Sequence, residues 1–194
     1  MINKGEEQRA HLIMKLRGQG IRSASVLSAI ESVPRDIFIE NALKNHAWEN
    51  VTLPIGEGQT ISQPYIVALM TTALNLSGKE IVLEIGTGSG YQASILSLLC
   101  RRVYTIERIK TLHEFSNKKF KELKLNNITT KFGNGSLGWP EVSPFDRIIL
   151  TCAINQIPKQ LFLQLKIGGI LIGPEILEDG SQVLTSYYQI DKNK

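Results

Sequence analysis

Cysteine is scarce in this sequence. Only Cys100 and Cys152 occur, far apart and outside any C-x-x-C spacing. That excludes a disulfide framework and leaves two reduced thiols of a cytoplasmic protein as the expectation. Long apolar runs are missing too: none reaches the ~18 residues that a membrane helix needs, so no membrane role is expected. Residues 1–9 are polar and carry both charge signs, unlike a secretory signal. Charge of one sign is not in excess: 22 Lys and Arg face 18 Asp and Glu, and the net +4 is dispersed. Nucleic-acid binding is therefore not expected, and the balance fits a solvated surface or a mild preference for acidic substrates. His11, His46 and His113 show no triad-like or metal-like spacing, so no metal site is expected. Internal repeats and low-complexity stretches are absent as well.

Hydrophobic residues make up 42% of the 194 positions, enough to build a core. The length suits one domain over 1–194, with a helical and irregular region over 1–78 and a sheet region over 79–194. Leu12, Ile13 and Leu16 recur at helical spacing. Ser23 reads as the N-cap of a short helix bearing Val26, Leu27 and Ile30, stopped before Pro34. Residues 49–64, with Pro54, Gly56, Gly58 and Pro64, read as a loop. A helix follows, with Val67, Met70 and Leu74 on its buried face. Strand candidates then alternate with helices: strand 81–85, helix 91–99, strand 103–106, helix 110–123, a weaker strand 128–132, strand 147–150, helix 158–165, strands 169–172 and 182–188. That alternation predicts an α/β fold, a doubly wound and mainly parallel sheet with right-handed crossovers, preceded by a helical extension.

The first strand runs into Gly86-Thr87-Gly88-Ser89-Gly90 before a helix. A turn that tight needs residues without a Cβ, and close ligand approach needs bare backbone. The spacing is G-x-G-x-G, whereas the dinucleotide fingerprint is G-x-G-x-x-G. Glu84 stands two residues before the first glycine, where a carboxylate attracts a cationic amino-acid ligand. S-adenosylmethionine, with its ammonium and sulfonium, is such a ligand. Glu107 lies 17 residues after Gly90, at a strand end, placed to accept hydrogen bonds from both hydroxyls of a ribose. Nicotinamide enzymes use the same device, so Glu107 alone does not separate the two cofactors. Asn134 and Gly135 follow the third strand and offer contacts to an adenine ring, or else form an ordinary Asn-Gly turn.

The string GQTISQPYIVALMT at 58–71 is close to the signature of the protein-L-isoaspartate O-methyltransferases, and at this point the chain resembles that family. So do VLEIGTGSGYQ at 82–92, Ile106-Glu107-Arg108, Gly138-Trp139-Pro140, Pro144-Phe145-Asp146 and the early segment VLSAIESVPRDIF. The motifs lie far apart in the expected order and cover nearly the whole chain. The resemblance implies a Rossmann-like class I methyltransferase. Such an enzyme moves a methyl group from S-adenosyl-L-methionine to the free carboxylate of L-isoaspartyl residues in damaged proteins and releases S-adenosyl-L-homocysteine. The ester then collapses to a succinimide, and hydrolysis returns some normal aspartate. It implies a cytoplasmic monomer working on isoaspartyl proteins and peptides. Ser62 matches the active-site serine, expected to orient the carboxylate or the cofactor by hydrogen bonding and to form no covalent intermediate. Gln59, Thr60, Ile61, Glu84, Gly86, Thr87, Gly88, Ser89, Gly90, Gln92, Glu107, Arg108, Asn134 and Gly135 are implied as cofactor contacts. Ile61, Gln63, Thr151 and Cys152 are implied as substrate contacts, with strand-end packing as the plainer reading of the last two.

Three departures from the family pattern stand out. Asn134 replaces the usual Asp, which keeps an acceptor for the adenine amino group and removes a charge. Ile154-Asn155-Gln156 intervenes where the family is proline-rich, beside the substrate. The chain stops at Asp191-Lys192-Asn193-Lys194, without the family's Phe-Val-Pro-Leu-like arm, so a shortened C-terminus and a wetter site are expected. The rival readings are a methyltransferase with another acceptor, a low-activity cofactor-binding homologue and, further off, a nicotinamide oxidoreductase.

Overall fold

The computed structural model describes residues 4–191; the polar extremities noted above, residues 1–3 and 192–194, lie outside it. Two helices, α1 (Lys4–Gly18) and α2 (Ala24–Ser32), come first. Ser23 caps α2 by accepting the Val26 N–H, as its position before an apolar periodic run predicts. Val26, Leu27 and Ile30 are buried with Leu12, Ile13 and Leu16 of α1. Proline at the first turn then starts α3 (Pro64–Ala73), where a missing N–H costs nothing. Val67, Met70 and the capping Leu74 are buried, as expected.

Six strands form the central sheet in the order β5-β4-β3-β6-β7-β8. They are β3 (Ile81–Ile85), β4 (Arg102–Glu107), β5 (Ile128–Phe132), β6 (Phe145–Leu150), β7 (Leu165–Ile176) and β8 (Gln182–Tyr188). Only β8 is antiparallel to its neighbour. Helices α4 (Tyr91–Ser97), α5 (Lys110–Glu122) and α6 (Lys159–Leu163) connect the parallel strands. The period-two pattern assigns the two faces. Val82, Val103, Ile149 and Ile172 pack beneath α3, α4 and Phe120 of α5. Leu83, Ile106, Ile148 and Leu171 pack on the other side with Leu161 of α6. The expected doubly wound sheet is present. Its chain reverses direction of travel between β3 and β6, which opens a crevice at the carboxyl ends of those strands.

Residues 49–64 are not all loop. A hairpin, β1 (Leu53–Gly56) and β2 (Gln59–Ile61), is built from them. Its two-residue turn has φ of 54° at Glu57 and 66° at Gly58. Turns of that hand suit the twist of a hairpin but favour Asn, Asp or Gly at the first position. Glutamate there hides the turn from a sequence reading. The other differences are at element ends: α4 stops at Ser97, α6 is shorter than expected and β7 is longer.

Candidate active site

Gly86, Gly88 and Gly90 all have positive φ, at 96°, 54° and 93°. Each has its own reason to lack a side chain. A Cβ on Gly86 would stand 2.6 Å from Thr151 Oγ1, and one on Gly90 2.8 Å from the Phe120 ring. On Gly88 it would meet only Ile55 of the hairpin, at 3.5 Å, across the gap between hairpin and sheet. Gly135 is forced by packing, since a Cβ there would collide with Ile85 Cγ2.

That gap opens into a cavity of about 340 Å³, within the usual range for small-molecule sites. The hairpin side supplies Gln59, Thr60, Ile61 and Ser62. The glycine loop supplies Gly86, Thr87, Gly88, Ser89 and, from α4, Gln92. Glu107 and Arg108 close the β4 side, Asn134 and Gly135 the β5 side, Thr151 and Cys152 the β6 side. Three predicted contacts do not line it: Gly90, Gln63 and Glu84. The Gln63 amide turns away to donate to the Asn50 carbonyl at 2.9 Å. The apolar remainder of the wall, including Ile85, Tyr91, Ile106, Leu112, Leu150 and Leu161, was not legible as site because those residues read as ordinary core.

Glu107 is 5% exposed, and its two oxygens accept the N–H groups of Gly88 at 2.8 Å and Ile109 at 2.9 Å. It therefore shapes the glycine loop and also borders the cavity. Asn134 accepts the Ser136 N–H at 3.0 Å, so the oxygen expected to meet an adenine amino group already holds a turn. Thr151 Oγ1 donates at the β3 end, to the carbonyls of Ile85 and Gly86. Ser62 Oγ has no hydrogen-bond partner among the described residues, while the Ser62 carbonyl accepts from Arg35 at 3.0 Å. None of the three histidines lines the cavity.

Glu84 is fully buried under the loop. One oxygen accepts from Thr105 Oγ1, which is 2.6 Å from Thr87 Oγ1; the other has no partner among the described residues. Burial pushes the Glu84 carboxyl up to about 8, against the Thr105 hydrogen bond and with help from the Glu107 charge. The unfolded chain releases this proton near ~4.3, the ordinary Glu value. Between there and about 8 the folded state holds more protons, so this group makes stability fall as pH rises, by at most about 1.4 kcal/mol per pH unit. Urea unfolding of ligand-free protein from pH 5 to 8 should show this decline, and Glu84→Gln should flatten it. An unchanged slope in the variant would remove Glu84 as its source.

The family model described as protein-L-isoaspartate(D-aspartate) O-methyltransferase matches residues 7–194. A protein-L-isoaspartate O-methyltransferase from Parvibaculum lavamentivorans is 54% identical over 173 residues, covering 89% of this chain and 78% of the relative. A solved protein-L-isoaspartate O-methyltransferase superposes with a TM-score of 0.87 at 29% identity, over 94% of this chain and 60% of the other. A Plasmodium falciparum structure, described as a putative enzyme of this kind in complex with S-adenosyl-L-homocysteine, gives a TM-score of 0.82 at 25% identity, covering 98% and 92%. With a family model matched over nearly the whole chain and a relative of 54% identity, the chain belongs to the protein-L-isoaspartate O-methyltransferase family.

Proposed function

We propose that the cavity holds S-adenosylmethionine against the glycine loop and admits the free α-carboxylate of an L-isoaspartyl residue beside Ser62, where methyl transfer occurs. One observation carries this: Gly88, whose bare backbone leaves the gap open, and Ser62, whose hydroxyl has no partner among the described residues, line one cavity. The residues suit the cofactor. Gly88 leaves room for it, Glu107 is an acceptor suited to its ribose, and the wall of Ile85, Ile106 and Leu112 suits a flat apolar ring. When bound, the cofactor supplies a sulfonium methyl that a carboxylate oxygen can attack.

The chain's own part is placement. An α-carboxylate of pKa ~3.3–3.7 is ionised at neutral pH, so no general base is needed, consistent with a cavity lacking histidine. Ser62 Oγ would donate to one carboxylate oxygen and leave the other free as the nucleophile. Thr151, Cys152 and Ile61 border the acceptor; Gln63 supports the loop from behind. Joining an anion to a cation is favoured where water is excluded, and the apolar wall contributes to that. In-line positioning supplies the larger share, up to about 7–11 kcal/mol in well-oriented systems. The reading includes a monomer acting in the cytoplasm on isoaspartyl proteins and peptides, without nucleic acid. Two free thiols and the dispersed charge support it. Among the described residues no helix is long and apolar enough to cross a membrane.

Paired peptides carrying Asp or L-isoAsp at one site, incubated with labelled cofactor, test the assignment. Label is expected on the isoaspartyl member alone. Equal labelling of both, or of neither, would overturn it.

A further inference from the structure

Arg35 heads the large, fully buried side chains among the described residues, at 0% exposure. It follows Pro34 in a segment whose neighbours Val33, Phe38 and Ile39 are core. Buried guanidinium groups ordinarily meet a carboxylate, because an unpaired charge in the interior is costly. Here no carboxylate pairs with it among the described residues. Nη1 instead donates to the Ala47 carbonyl at 3.0 Å. Nη2 donates to the carbonyls of Val51 at 3.1 Å and Ser62 at 3.0 Å. Nε has no partner, and the guanidinium carbon lies 5.5 Å from the centroid of the Tyr91 ring. Tyr91 begins α4 directly after the glycine loop and lines the cavity. Burial pulls the Arg35 pKa down, but a guanidinium starts so high that it stays charged at neutral pH.

The fork thus ties together the chain entering the hairpin at Val51, the chain leaving it at Ser62, and the helix of the glycine loop. Three carbonyls engage Nη1 and Nη2, and none of them cancels the charge. A full positive charge therefore sits behind the backbone of the residue that meets the acceptor. We propose that Arg35 is a positioning residue for methyl transfer: its fork fixes the backbone at Ser62, and its uncompensated charge favours an anionic acceptor at that end of the cavity.

This rests on the reading of Ser62 and of a carboxylate acceptor given above. Arg35→Lys keeps the charge and loses the fork, whereas Arg35→Gln loses the charge. Each is compared with wild type for cofactor Kd and binding stoichiometry by calorimetry, and for kcat and peptide KM with the L-isoaspartyl peptide. Rates are referred to the cofactor-binding fraction, so partial unfolding does not imitate the effect. For both variants we expect cofactor Kd within about twofold and kcat lowered about tenfold or more, given how steeply rate depends on placement. The peptide KM should rise severalfold in Arg35→Gln and stay near wild type in Arg35→Lys. Wild-type kcat in Arg35→Lys, or equal KM in both variants, would overturn the proposal. Failure of both to bind cofactor would assign Arg35 to folding alone and overturn it as well. Wild type that does not methylate the peptide would instead sink the functional reading on which this one stands.

Discussion

Replacing Ser62 by alanine should lower kcat about 10²-fold and leave cofactor Kd within about twofold, because misplacement by an ångström costs rate on that scale. The expectation follows from where the hydroxyl is and what it lacks. Ser62 lies at the exit of β2, in the cavity wall, with its backbone held by Arg35 and its Oγ unpartnered among the described residues. Alanine keeps the backbone anchor and removes only the free donor. The glycine loop is untouched, so cofactor binding has no reason to change. Steady-state kinetics with the L-isoaspartyl peptide, together with calorimetry, check both halves. An equal fall in turnover and affinity would mean that Ser62 belongs to the cofactor's side of the cavity.

Glu107→Ala should show the reverse emphasis. Its carboxylate accepts two backbone N–H groups, from Gly88 in the glycine loop and from Ile109 at the start of α5. Hydrogen bonds to charged groups contribute about 1.5–3 kcal/mol each, and loss of the acceptor also leaves buried donors unmet. Alanine removes both bonds together with the acceptor proposed for the ribose. Cofactor Kd should therefore weaken by about 10²-fold or more, with a lower Tm, as loss of even one such bond is worth more than tenfold. Calorimetry and thermal melts read the two effects. Unchanged affinity with a lowered Tm would leave Glu107 as a loop brace and nothing else.

Much of the fold was legible because its signals are local. Apolar runs of strand length separated by helical periods predict a parallel sheet, and β3, β4 and β6 appear where those runs stand. The weak signal at 128–132 has a structural counterpart. β5 is the edge strand, half-buried from Ile128 to Lys131 and with Phe132 53% exposed, so its residues were never under pressure to be apolar. What stayed hidden depends on partners distant in sequence. Glu57 gives no sign of a hairpin turn, because glutamate seldom takes a positive φ; in the fold its Oε1 accepts from Thr111 at the start of α5, 2.8 Å away. Glu84 was placed correctly at a strand end, but the sequence does not say how deep that end lies, and only the structure puts Thr105 and Thr87 above it. Arg35 carried no signal of its own in the sequence, since its three carbonyl partners come from residues 12, 16 and 27 positions away.

The hairpin has a consequence for how two ligands sense each other. One short strand, Gln59–Ile61, borders the cofactor cavity and leads directly into Ser62. At its far tip Glu57 is tied to Thr111, and Ile55 overhangs Gly88. Both ligands would press on that one strand, so a shift made by either reaches the other, and thermodynamic reciprocity requires the same factor in both directions.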